Sequence, residues 1–291
     1  MTRAWESAAL EKRIEKYATL PGPEFPDDAR EAVEELLLLL ERGKLRSAVR
    51  GDDGVWRAIQ WVKRGILLGF RVGEMVDMSP EISAESREAA FRFFDKDTFP
   101  LRPLSLYDGV RVVPGGSSIR RGSYVAPGVV CMPPMYINMG AYIGAGTMVD
   151  SHALVGSCAQ IGERVHLSAA AQIGGVLEPV NAAPVVIEDD VIVGGNCGVY
   201  EGTVVRSRAV LGAGVVLTRG TPVYDLVRET IYRGDAERAL EIPAGAVVVP
   251  GARQVKDGWG EEQRISLQTP VIVKYRDEKT DSATALETWL R

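Results

Sequence analysis

A chain of 291 residues that is 46% hydrophobic and 25% charged, with a net charge of -5, has the make-up of an ordinary folded protein in water, long enough for two domains or one elongated one. The acidic balance argues against a nucleic-acid partner, whose phosphates favour a basic face. The longest leucine run, Leu36–Leu40, is five residues between charges, where a membrane span needs about 18 apolar residues.

Three cysteines form no disulfide framework, and the opening MTRAWESAALEKRIEKYA is polar and helical with no signal-peptide core. Together these predict a reducing, cytoplasmic setting with no membrane contact. Residues 1–105 read as an N-terminal α/β domain. Asp27 and Asp28, after Pro26, cap a helix through AREAVEELLLLLERG that ends at Gly43. LRSAVRGDDGVWRAIQ reads as a hairpin turning at Gly-Asp-Asp-Gly. WVKRGILLGFRV reads as a second helix or a helix–strand element. Residues 76–105, rich in Phe and Pro and without a period, read as a linker that docks on the region beginning at residue 106.

From residue 106 the pattern changes to a beat of six. Every sixth position from Val113 to Ile173, and again from Ile187 to Leu217, is aliphatic or Cys, 17 slots in all. A helix repeats at three and four and a strand at two. A fixed six-residue repeat is the signature of a parallel β-helix, a triangular prism of three short faces per coil. The slot points to the prism axis. Four residues on, a second inward position holds small or β-branched residues (Ala141, Thr147, Ala153). Gly144, Gly156, Gly162, Gly194 and Gly212 follow the slot directly, where corners are expected to need permissive backbone. The prism is expected over 106–220.

Two irregularities interrupt it. Between Ile173 and Ile187 stand 13 residues where five are expected, so GGVLEPVNAAPVV carries an eight-residue excursion. Because Val176, Leu177 and Val180 would otherwise be exposed, it is expected to reach a neighbouring chain and wall a site rather than to be an idle surface loop. Asp150, Ser151 and His152 put polar groups on a wall of small residues. Asp150 reads equally as a turn carboxylate or a functional one. Residues 221–291 form a small C-terminal domain of turns and strands (AVVVP, TPVIVKY), with a short amphipathic helix at SATALETWLR.

The repeat resembles the left-handed β-helix acyltransferases. Within them, MYINMGAYIGAGTMVDSHALVGSCAQIGERVHLS and IGGVLEPVNAAPVVIEDDVIVGG are similar to tetrahydrodipicolinate N-succinyltransferases, as are REAVEELLLLLERGKLRSA, WVKRGILLGFRV and PAGAVVVPGARQVKDG. The resemblance implies a mainly β protein whose prism winds left-handed against the usual right-handed rule. It implies a homotrimer with sites between prisms, and succinyl transfer from succinyl-CoA to the amine of a ring-opened dicarboxylate in lysine and diaminopimelate synthesis. No metal is predicted.

Residue by residue, Asp150 matches the aspartate that meets the substrate amine, which must lose a proton before attacking a thioester. Arg111, in GVRVVP, matches an arginine that grips a substrate carboxylate through paired hydrogen bonds. Backbone N–H groups at a corner such as Gly194-Gly195 would hold the oxyanion. Gly212 and Ala213 would let the pantetheine arm approach, and Arg253 and Lys256 would meet CoA phosphates. In the best-known members a glutamate falls three residues before the glutamate of the EG pair. Here that position is Gly198, while Glu201 of the pair remains. Glu201 or His152 is then the candidate second catalytic group, and His166 reads as structural.

Three competitors remain: the same acceptor with acetyl-CoA, a non-catalytic prism scaffold, and a metal hydratase on the same prism. Two histidines are too few for the three-histidine zinc site the last would need.

Overall fold

The computed structural model describes residues 4–80 and 91–277. The expected C-terminal helix at 282–291 and part of the 76–105 linker lie outside them.

Three helices, α1 (Ala4–Ala18), α2 (Asp27–Glu41) and α3 (Gln60–Val72), pack around Leu10, Ile14, Leu36, Leu37 and Ile66. The bare Gly65 lets α2 and α3 close up, since a Cβ there would stand 2.3 Å from a Leu36 methyl. Asp27 and Asp28 make no capping hydrogen bond. They sit in the first turn of α2, where the helix dipole favours negative charge, and Asp28 accepts from the Tyr17 hydroxyl. Gly43 follows α2 at φ +64, with the Tyr124 ring 2.9 Å from where its Cβ would be, so both backbone and space demand glycine. The Gly-Asp-Asp-Gly hairpin forms as expected, Ala48–Arg50 against Trp56–Ala58. The linker contributes a second hairpin, Met75–Asp77 against Phe94–Lys96, before Phe99 enters the helical core.

The remainder is a parallel β-helix. Each coil has three two-residue strands, and each strand pairs with the one 18 residues on, Ile143 with Ile161 and Val149 with Leu167. The slot residues stack without exposure from Ile137 to Leu217, with Ala141, Ala153 and Ala159 filling the second inward position. Fully burying each aliphatic side chain contributes roughly 1.5–3 kcal/mol. Across the eight-residue excursion the register holds, Ile161 meeting Ile187.

Three sequence expectations need correction. The first slot is Val112, not Val113: Arg111 pairs with Val130 and Val112 with Cys131, one residue out of the beat. The corner at Gly115-Gly116, both at positive φ, absorbs the extra residue. A one-residue slip exchanges the faces of a strand, so it is Arg111 that joins the outward row.

The glycines after the slot are not there for backbone freedom. The left-handed residue of a corner comes two positions later, as at His152 (φ 60), Arg164 (φ 54) and Asn196 (φ 56). Gly144, Gly156 and Gly194 are bare because a Cβ would stand 2.1–2.6 Å from backbone of the next coil.

The prism also does not stop at residue 220. After Leu217 the chain leaves for a hairpin, Val223–Asp225 against Thr230–Tyr232, and returns. Ile242 then stacks on Val205 and Val248 on Leu211. The strand Ala246–Gln254 continues beyond the prism as one arm of a long hairpin with Ser266–Tyr275.

Candidate active site

The three faces are a ten-stranded sheet containing Met148–Val149 and two six-stranded sheets, one containing Tyr142–Ile143 and the other Gly198–Val199. They meet at three edges, and these are unequally furnished. The edge between the Gly198 and Tyr142 sheets is covered by the chain's own elements. Met139 and Cys158 project from it into the helical core. The Ser47 hydroxyl lies between the carbonyls of Gly140 and Cys158, within hydrogen-bond distance of both, and shares its one proton between them. Arg121 binds Glu34 and Glu41 of α2.

Both excursions also leave by this edge. The first is no free arm. Leu177 packs on the helical core, and buried Lys63 of α3 donates to Ala182 O at 2.7 Å. It folds back on its own helical domain. With the second excursion it walls a cleft of about 1330 Å³ that includes Glu201, Arg219 and Glu178.

Among the described residues the edge between the ten-stranded sheet and the Gly198 sheet is bare, and it carries most of the expected site. Asp150, Ser168, Gly194 and Gly212 stack directly down it, each donating its N–H to a carbonyl of the next coil (Leu167, Val193, Leu211 and Val248). The Asp150 carboxylate, part exposed, accepts the Ser151 N–H at 2.7 Å. Arg111 heads the outward row of the adjoining face, above Val130 and then Met148. It is exposed, two coils from Met148, or roughly 10 Å at the usual strand spacing.

Gly194, Gly195, Gly212 and Ala213 form a ledge without long side chains. A pantetheine arm fits such a ledge, because nothing projects to block it. The Gly194 N–H is already given to Leu211 O at 2.8 Å, so it is not the expected oxyanion donor. Arg253 and Lys256 lie exposed on and beyond the strand that pairs below Leu211 and runs on past this edge.

Two expected partners of Asp150 are elsewhere. Glu201 stands on the covered edge with φ 55, its carboxylate accepting the Arg219 N–H at 3.0 Å. One protomer does not bring it to Asp150. His152 is exposed in the left-handed corner position, where its backbone serves the neighbouring coils, donating N–H to Pro134 O and accepting from Gln172. The imidazole beside Asp150 is that of His166, with Nε2 3.6 Å from Oδ2.

Gly198 has a local explanation. The Tyr200 ring lies where a side chain at 198 would go, Cε2 2.5 Å and the hydroxyl 2.9 Å from the Cβ position. The sequence carries no sign of this ring's placement or of the Lys63 clasp. His166 could have been found by adding 18, one coil, to Met148.

Among the described residues no helix is long and apolar enough to cross a membrane. No group of three His, Cys, Asp or Glu is placed among them to hold a metal ion.

Comparison with known proteins agrees with this layout. Residues 7–72 match the family description "Tetrahydrodipicolinate N-succinyltransferase N-terminal", and residues 184–219 match "Hexapeptide repeat of succinyl-transferase". The 2,3,4,5-tetrahydropyridine-2,6-dicarboxylate N-succinyltransferase of Nitrobacter winogradskyi is 41% identical over 92% of each chain. That of Chelativorans is 40% identical over 98% of each. A crystal structure of a putative 2,3,4,5-tetrahydropyridine-2-carboxylate N-succinyltransferase from Campylobacter jejuni superposes with a TM-score of 0.50 at 18% identity, covering 87% of this chain and 64% of that one. With the hexapeptide repeat it gives the fold class, a left-handed parallel β-helix. Likeness of this extent along the whole chain makes the protein a member of the tetrahydrodipicolinate (2,3,4,5-tetrahydropyridine-2,6-dicarboxylate) N-succinyltransferase family.

Proposed function

We infer that this chain is a CoA-dependent N-acyltransferase that moves succinyl from succinyl-CoA to the amine of ring-opened tetrahydrodipicolinate, a step toward diaminopimelate and lysine. What carries the reading is near-full-length identity of about two residues in five to enzymes named for that reaction. The site supports it in its own terms. A dicarboxylate that also bears an amine needs one cationic grip and one proton acceptor at fixed separation. Arg111, on the ten-stranded face two coils above Met148, and Asp150, at the edge just after Met148–Val149, offer them.

The guanidinium pairs with a substrate carboxylate, leaving the amine at Asp150. The carboxylate takes the ammonium proton. The nitrogen then forms a bond to the thioester carbonyl carbon, the carbon–sulfur bond breaks, and the second proton lost by the nitrogen balances the one that the departing CoA thiolate takes up to become the thiol. The ledge at Gly194, Gly195, Gly212 and Ala213 receives the pantetheine arm, and Arg253 and Lys256 meet the phosphates. Glu201 lies on another edge, so this carboxylate would meet an Asp150 only across two neighbouring prisms. That supports a homotrimer with sites between subunits, which size-exclusion chromatography with light scattering tests.

CoA release from succinyl-CoA and acetyl-CoA in parallel, with tetrahydrodipicolinate or 2-aminopimelate as acceptor, tests the reaction. A strong succinyl preference is expected. Acetyl preference would move the enzyme to the acetyl reaction, and no turnover would favour the scaffold. Asp150→Asn is expected to lower kcat by roughly 10²–10⁴, the usual contribution of a positioned acid–base group, with oligomeric state unchanged. A fully active Asp150→Asn enzyme would remove Asp150 from the chemistry.

A further inference from the structure

Below Arg111, which heads it, the outward row of the ten-stranded sheet continues through five residues, Val130, Met148, His166, Ile192 and Val210, each directly below the last. Four of the five are apolar, and an apolar side chain is what this row accommodates. His166 is the exception. Its neighbours along the row, Met148 and Ile192, are apolar, yet it is only 8% exposed. A largely buried imidazole is held by polar groups off the row.

One that it faces is Asp150, two residues beyond Met148 at the bare edge, with Nε2 3.6 Å from Oδ2. The other Asp150 oxygen, Oδ1, is engaged by the Ser151 N–H at 2.7 Å. The carboxylate is thus held on one oxygen by its own turn and faced on the other by an imidazole from the next coil. A separation of 3.6 Å is just beyond a direct hydrogen bond, and such contacts commonly tighten when substrate binds.

We propose that His166 is the positioning residue for Asp150: its Nε2–H directs one carboxylate oxygen so that the carboxylate is aimed at the substrate amine. This rests on the reading of Asp150 as the group that takes the amine proton. The imidazole neither gives nor receives a proton in the cycle. It acts through its fixed place in the coil, which rigid strands on both sides maintain.

The test uses His166→Met, which suits the apolar row, and His166→Gln, which keeps an N–H donor. Both are made with and without Asp150→Asn. His166→Met is expected to lower kcat roughly ten- to hundredfold, as removing a partner that orients a functional group does elsewhere. KM for both substrates and the melting temperature should stay near wild type. His166→Gln should recover much of the loss. In the Asp150→Asn background His166→Met should cost nothing further, because residues acting as one unit are not additive.

Wild-type kcat in His166→Met overturns the proposal, and so does a loss that persists undiminished in the Asp150→Asn background. Full activity of Asp150→Asn alone overturns the reading beneath it as well, which separates the two failures. Should His166→Met fold poorly, the imidazole nitrogen signals of the native protein decide. Replacing Asp150 by Asn should shift the signal of His166 and leave that of His152 in place, and an unmoved His166 signal overturns the proposal.

Discussion

Lys63 Nζ donates to the carbonyl of Ala182 at 2.7 Å and lies 3.4 Å from that of Pro179, so a buried lysine of α3 holds the eight-residue excursion against its own helical domain. Burial pushes the Lys63 pKa down from 10.5. The cost of dehydrating an ammonium is offset here by two carbonyls and the fit of its stem. Lys63→Met keeps the stem and relieves the dehydration while losing hydrogen bonds that contribute roughly 1.5–3 kcal/mol when charged. Global stability should therefore change little, while the excursion loosens.

Hydrogen exchange and limited proteolysis should show faster opening confined to residues 174–186. Protection unchanged in that segment would mean that Leu177 alone holds it. The pH dependence has a definite sign. A base with a depressed folded pKa is less protonated in the folded chain than in the unfolded one between that value and 10.5, so folding gains as pH rises through that window. Urea unfolding from about pH 8 to about pH 10 should show wild type gaining on Lys63→Met, and a gap moving the other way would contradict the assignment.

Gly198 and Tyr200 form a pair in which the absence of one side chain makes room for the other. A Cβ at 198 would lie 2.5 Å from Tyr200 Cε2, and one at Gly174 would lie 2.8 Å from Cδ1, so the ring is bedded on two glycines. Gly198→Ala is expected to destabilise by about 1–3 kcal/mol, the usual cost of overpacking. The same change in a Tyr200→Ala background should cost little. A double-mutant cycle by urea denaturation measures the coupling. Equal penalties in both backgrounds would show that the ring is not what excludes a side chain at 198. Restoring a carboxylate at this position therefore requires removing the ring as well.

The prism was legible because its period is imposed by stacking. Residues 18 apart touch, so one wrong inward residue would disturb two coils, and the beat survives even the jump from Ile161 to Ile187. Where stacking ends, the beat misleads. Val113 keeps the count, but at the open first coil nothing above enforces it, and the corner at Gly115-Gly116 slips by one. Val223 also keeps the count, six beyond Leu217, yet the next slot belongs to Ile242. Side-chain pairings were less legible because chain neighbours attract attention that coil neighbours deserve. His152 is two residues from Asp150 and turned to solvent, whereas His166 is 16 residues away and beside it. Only the family pattern links Glu201 to Asp150, and which edge it occupies is fixed by the count of faces along the coil.

The three cysteines offer a check on the interior. Cys131 and Cys197 are held within the prism core and Cys158 in the helical core, all buried. Burial pushes the thiol of Cys131 up to about 12 and that of Cys158 to about 11, and raises Cys197 as well. A thiol reagent attacks the thiolate, and at pH 8 a thiol titrating near 11 is only about one part in a thousand thiolate. Access is closed too, since reaction requires the coil or the helical domain to open. The native protein should therefore give no rapid colour with a thiol reagent, while the protein in denaturant should titrate three equivalents. A fast equivalent from native protein would mean that one wall of the prism or the joint at Ser47 and Cys158 opens readily. The same silence lets CoA release be followed with that reagent, because every thiol that appears during turnover then comes from the donor.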